Sequence, residues 1–429
     1  MEKFNLEKFE SWSEPLHAEL HSRPSPILES PSRILYFCIS NGGQFRDTIR
    51  REFDENEKDL FTNRDIHDVR IFEDEKVRAQ YVFHNEYIGL TLIFKNTVFK
   101  NIFDRTDLSE TILYWKSKCQ GKLITSIDFA FVEPSEDEYN RESLVPVLGD
   151  HQIVGAKLAD GYLKVWNTFV QDREGYIRVI LEDCHSRVRR NGRVLHRLID
   201  IETYRILSLK GLPIAREVIP KVRQLDDQLK VFIDQLNQSE AVEDDKLMLD
   251  RLMKLSVETE SIRSNYTGVY SAVEAYQHIL RCRLDELRET RIEGFQMYHE
   301  FLLRRMDPGF KTCESLNERI QMLSSRLATA TNLLRAKVNV HMETQNQNLL
   351  KSFDERSAFQ LKLQQTVEGI SIIALAYYGL GLLKIILKGM KSAGLPLNPD
   401  IAVFLLAPVL VYAIWKYAHK LSVYMGEKH

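Results

Sequence analysis

The chain lacks most of the features that announce a chemistry. Its five cysteines, at positions 38, 119, 184, 282 and 313, are odd in number and scattered, and none forms a CxxC pair. That excludes a disulfide framework and reads as free thiols in a reducing compartment. It also lacks a charge excess: 58 Lys and Arg stand against 61 Asp and Glu, a formal net charge of −3 over 429 residues. A general nucleic-acid binder, which needs a basic surplus, is excluded. There is no glycine-rich phosphate loop, no nucleophile elbow and no Cys/His metal framework. The expectations are therefore no catalytic residues, no cofactor, no bound metal and no enzyme. The N-terminal MEKFNLEKFESWSEP has no apolar core of signal-peptide length, so the bulk of the chain is expected in the cytoplasm.

What is present is concentrated at the C-terminal end. Residues 369–387, GISIIALAYYGLGLLKIIL, and 401–418, IAVFLLAPVLVYAIWKYA, carry one charge each, Lys384 and Lys416. Each approaches the roughly 20 residues needed to cross a ~30 Å hydrocarbon core. Neither shows the polar face of a soluble amphipathic helix. The connection at 388–400, KGMKSAGLPLNPD, is short enough to force an antiparallel transmembrane hairpin, with both chain ends on one side. The lipid bilayer is thus an expected partner. The expected location is a membrane, crossed twice, with cytoplasmic termini.

Before the hairpin, residues 310–368 contain neither Gly nor Pro. Leu316, Ile320, Leu323, Leu327, Ala330 and Leu334 recur there at steps of 4, 3, 4, 3 and 4, a coiled-coil spacing. This predicts a long stalk helix and an oligomer seam. Upstream, 193–210, 214–236 and 246–307 read as helices, with Pro308 and Gly309 expected to reverse the chain. Residues 31–185 differ. Eight short β-branched and aromatic runs, from RILYFCI (33–39) to YIRVIL (176–181), alternate with turns, and a helix pattern lies near 107–118. They predict a mainly antiparallel α+β domain of six to eight strands.

The candidate polar clusters are modest. His17 and His21 in HAELH share a helix face, but Glu19 is misplaced for a zinc protease. His84 and Glu86 in FHNEY are expected on one strand face. Arg187, Arg189, Arg190 and Arg193 form a basic cluster able to meet an anion or headgroup. Glu133, Glu136, Asp137, Glu138 and Glu142, and again Glu240, Glu243, Asp244 and Asp245, form acidic stretches, read as solvated loops.

Three segments carry a resemblance: ELHSRP (19–24), GRVLHRLIDIETYRILSLKGLPIAR (192–216) and ETQNQNLLKSFDERSAFQLKLQQTVEGISIIALAYYGLG (343–381). They resemble a bacterial family of membrane-anchored proteins of unknown function, some of which carry an egg-lysin-like label. The resemblance implies an anchor in a bacterial inner membrane and no established activity. The architecture is also similar to CorA-type magnesium transporters, which form pentamers with the first spans lining a pore and Gly-Met-Asn at its mouth. Gly389 and Met390 stand at that place, followed by Lys391 instead of Asn. That likeness implies a homo-oligomer, pore-lining roles for Ser371, Ala374, Tyr378 and Gly381, and ion transport. The alternative is a non-conducting scaffold whose cytoplasmic domain binds an unidentified partner protein. The domains expected are 1–185 (α+β), 186–309 (long helices), 310–368 (stalk), 369–418 (hairpin) and 419–429 (tail).

Overall fold

A computed structural model describes residues 25–40, 64–66, 69–97, 102–119, 121–135, 138–238, 242–392 and 398–426. The chain divides into two compact units. One comprises Met1–Asn237 with Asp250–Ala330, the other Gln238–Leu249 with Thr331–His429. The expected boundary at 309/310 therefore moves to Ala330, because the early stalk packs into the first unit.

In the first unit ten strands form one sheet. They are β1 (Ser32–Ser40), β2 (Arg64–Ile66), β3 (Val69–Glu73), β4 (Val77–Phe83), β5 (Tyr87–Lys95), β6 (Lys122–Val132), β7 (Val154–Leu158), β8 (Leu163–Gln171), β9 (Tyr176–Asp183) and β10 (Thr290–Arg291). The order is β10-β7-β8-β9-β6-β1-β5-β4-β3-β2. Neighbours are antiparallel except β6 and β9, which run parallel. The eight expected strands are all present. The short β2 and β10 extend the two edges.

The helices are α1 (Ser109–Ser117), α2 (Arg141–Leu148), α3 (Val188–Leu209), α4 (Gly211–Gln238), α5 (Val242–Glu286), α6 (Tyr298–Ser392) and α7 (Pro399–Gly426). Strand β1 is buried on both faces, which is why ILYFCI (34–39) is an unbroken apolar run rather than an alternating one. Its residues Ile34, Tyr36 and Cys38 join a core completed by Leu195, Leu198 and Ile201 of α3, Leu280 and Leu284 of α5, and Phe301 and Met306 of α6. On the opposite face, Leu35 and Phe37 pack with Ile112 and Trp115 of α1. Ala130, Trp166 and Ile180 pack there with Leu144 and Leu148 of α2.

Two expectations about the helices are corrected. Pro308 and Gly309 do not reverse the chain; both lie inside α6. The reversal lies between α5 and α6, where Arg288 (φ 47°) and Gly294 (φ 82°) adopt left-handed backbone. Gly309 is instead a place of close approach, since a Cβ there would lie 3.3 Å from Leu212 Cδ2. Second, the expected oligomer seam is covered within one chain. Leu316, Ile320, Leu323, Leu327, Ala330 and Leu334 are all at most 3% exposed. Within the first unit α4 runs beside α6, as the Arg326–Asp226 ion pair shows. A Cβ on Gly211 of α4 would touch both Val273 of α5 and Cys313 of α6. The 3-4 spacing is thus the signature of an intramolecular helical bundle, which the same periodicity serves equally well.

Candidate functional site

Charged residues within apolar strand runs build the most connected polar structure among the described residues of the first unit. Arg33 on β1 and Asp128 on β6 lie on the same face of the sheet. Arg33 Nε donates to Asp128 Oδ1 at 2.9 Å and its Nη2 to Oδ2 at 2.6 Å. Arg105 adds a 2.6 Å bond to Asp128 Oδ2 and reaches Asp172 at 2.7 Å and Glu174 at 2.9 Å. Asp172 is also held by Arg178 Nε at 3.1 Å. The Arg105 guanidinium lies 4.1 Å from the centre of the Tyr176 ring. Burial disfavours the charge on Arg105, but hydrogen bonds to Asp172 and the field of Asp128 outweigh it, and its pKa is raised. Burial pushes Asp172 up; hydrogen bonds from Arg105 and from the Tyr176 and Glu174 amides push it down further, below the usual aspartate value.

A cleft of about 610 Å³ opens beside this network, lined by Arg105, His151, Asp172, Glu174 and Arg178 among others. Arg105 and Arg178 are both engaged by carboxylates there, so the arrangement ties β1, β6, β9 and the β8–β9 turn together. The sequence signal for it is a charge inside an otherwise apolar strand: Arg33 in RILYFCI, Asp128 in LITSIDFAF and Arg178 in YIRVIL.

The other polar candidates stand apart. His84 and Glu86 fall in the β4–β5 turn rather than on a strand; His84 stacks on Tyr87 at 4.1 Å and Glu86 lies 3.6 Å from Lys210. Arg187, Arg189, Arg190 and Arg193 gather at the start of α3, with Arg190 3.9 Å above the Tyr162 ring. His17, His21, Glu136, Asp137 and Glu240 lie outside the described residues, as do the side chains of Glu243, Asp244 and Asp245. Among the described residues no group of three or more His, Cys, Asp or Glu side chains could hold a metal ion.

In the second unit α6 and α7 are long and apolar enough to cross a membrane. Only 6% of the most apolar stretch of α6 is buried, and none of that of α7. They touch along one face. A Cβ on Gly379 would lie 3.1 Å from Leu410 Cδ2 and 3.4 Å from Ile414 Cδ1. Ile372, Ala376 and Leu383 are half-buried on that side, and Leu387 is buried. Lys384 Nζ lies 3.0 Å from Asp400 Oδ1 at the far end.

The expected pore-lining residues Ser371, Ala374, Tyr378 and Gly381 are all exposed, on the side turned away from α7. The Ser371 hydroxyl donates to Val367 O at 2.8 Å, so it is satisfied within its own helix. Gly389, Met390 and Lys391 are helical rather than in a loop, in the last turns of α6. Lysines there favour continued helix, because cations suit the negative end of the helix dipole.

The result is an α+β protein with a two-faced sheet and a C-terminal pair of exposed apolar helices. The chain belongs to the family described as Protein of unknown function (DUF3422), which it matches over residues 11–423. No match is found among curated proteins.

Proposed function

We propose that this is a membrane-anchored, non-enzymatic scaffold of a bacterial inner membrane. The apolar end of α6 and all of α7 cross the bilayer as an antiparallel hairpin. Both termini and the first unit lie in the cytoplasm. The observation that carries the reading is exposure. Ile370, Ile373, Leu382, Ile385, Phe404, Leu405 and Val409 are each at least 62% exposed. Burying such side chains is worth about 1.5–3 kcal/mol each. A bilayer supplies that burial without any protein partner. Copies of the chain associate in the membrane, and the first unit recruits a partner protein.

Two measurements test the anchor. Reporter fusions after Gly394 and after His429 are expected to report opposite sides of the membrane, and the chain is expected to resist alkaline carbonate extraction. Same-side reporters overturn the hairpin; extraction into the supernatant overturns the anchor.

A second reading, ion conduction, is favoured by one observation. The face bearing Ser371, Ala374, Tyr378 and Gly381 is turned away from α7 and is free to meet other copies around an axis. Proteoliposomes holding the purified assembly are then expected to pass cations, with Lys391→Asn raising the share carried by divalent ions. Silence of both forms leaves the scaffold.

A further inference from the structure

We infer that a second copy of this chain docks along one face of α6, from Leu349 to Gly381, as a parallel helical seam. This rests on the membrane reading above and moves self-association away from the intramolecularly covered stretch at 316–334.

The first observation is isolation. From Met342 to Val367 every residue of α6 is exposed except the half-buried Ser352. A helix of that length with no tertiary packing is marginal in water, because most helical stability in proteins comes from burial of an apolar face.

The second observation is pattern. Leu349, Phe353, Leu363, Val367 and Ile370 are 56%, 60%, 56%, 56% and 63% exposed. They fall on a repeat of about 3.5 residues, which keeps them on one side of the helix. Arg356 and Gln360 occupy the same stripe between Phe353 and Leu363, making two consecutive polar layers. Such a layer fixes register at a cost in stability. The remaining charges between Leu349 and Gly381, which are Lys351, Asp354, Glu355, Lys362 and Glu368, fall on the opposite face.

The third observation is continuity. The stripe runs on into Ala374 and Gly381, away from the Gly379 face that meets α7. Small residues there let a second helix approach closely within a bilayer.

These features select a second copy as the occupant. The hairpin inserts every copy in the same orientation, so identical stripes meet parallel and in register. A stripe with an apolar-polar-apolar order is complementary to itself in that arrangement.

The test uses the full-length chain in membranes, in a Cys282→Ser background that removes the exposed native thiol. Leu349→Cys and Leu363→Cys place a thiol in the stripe; Lys351→Cys and Ala358→Cys place one on the opposite face. Mild oxidation is expected to give at least several-fold more covalent dimer from the first pair. Equal yields, or none from any variant, overturn the seam. Phe353→Glu with Leu363→Glu is expected to reduce the mass seen by light scattering in detergent while the circular dichroism of the first unit persists. An unchanged mass overturns the proposal. An environment-sensitive label at Leu349→Cys that shifts on adding anionic phospholipid vesicles, without dimer formation, assigns the stripe to a lipid surface and also overturns it. Carbonate extraction of the same variants separates the two readings: a chain that stays embedded without linking sinks only the seam, and one that links yet is extracted sinks only the anchor.

Discussion

Arg33 and Asp128 face each other across adjacent strands in a two-bond ion pair that is almost wholly shielded, with side chains 2% and 0% exposed. Neither has water to fall back on if the other is removed. Breaking a buried pair from one side costs about 3–5 kcal/mol, whereas replacing both partners with apolar groups of similar size is often near neutral. Asp128→Asn is therefore expected to lower the denaturation midpoint of the first unit strongly. Arg33→Met with Asp128→Leu is expected to cost less than either single change, apart from what Arg105 loses. Denaturant titration of the detergent-purified chain, followed by tryptophan fluorescence, measures both.

The same network makes acid stability depend on Asp172. Its folded pKa lies below the ordinary aspartate value, so its contribution is present above that value and lost as pH falls through the depressed one. The stability gap between the native chain and Asp172→Asn is expected to be constant from neutral pH down to about pH 5 and to close below pH 4. Denaturant midpoints measured in steps across that range check it; a gap that widens on acidification contradicts the assignment.

Thiol reactivity separates the cysteines. Burial pushes Cys38 up to about 12 and Cys119 likewise to about 12. Thiolate is the reactive form, so both should be inert at pH 8 in the folded chain. Cys282 is exposed. A coloured disulfide reagent is expected to modify Cys282 first, with Cys38 and Cys119 reacting only on denaturation. Mass spectrometry of the labelled peptides reads the order.

The α6–α7 contact depends on the missing side chain at Gly379. Gly379→Leu would drive carbons into Leu410 and Ile414, an overpacking cost of about 1–3 kcal/mol. Cysteines replacing Lys384 and Asp400, whose charged groups lie 3.0 Å apart at the tips of their side chains, are expected to be bridged by a short bis-maleimide in the parent chain. The yield should fall markedly once Gly379→Leu is added.

The sequence by itself determined the elements that depend on local pattern. Alternating short β-branched and aromatic runs identified the eight main strands, because that composition suits a pleated, buried surface. Two stretches of bilayer length with a single charge each identified the apolar ends of α6 and α7. Helix α2 was not among the elements expected, although its start is written in the sequence. Asn140 accepts from the Ser143 amide and Ser143 returns the bond, a reciprocal cap written as Asn-x-x-Ser.

Tertiary structure decided what local pattern leaves degenerate. A 3-4 apolar repeat looks the same whether its partner is the same chain or another copy. Only the packing of α4, α5 and α6 shows that Leu316 to Ala330 are filled from within, while Leu349 to Val367 are left bare. Pro308 and Gly309 read as a turn because both residues favour one. In the fold, packing around α6 outweighs that preference, and Gly309 serves the close passage of Leu212. Arg33, Asp128, Arg105 and Asp172 are spread over 140 residues of sequence, so their meeting follows from the order of strands in the sheet, which no local spacing encodes.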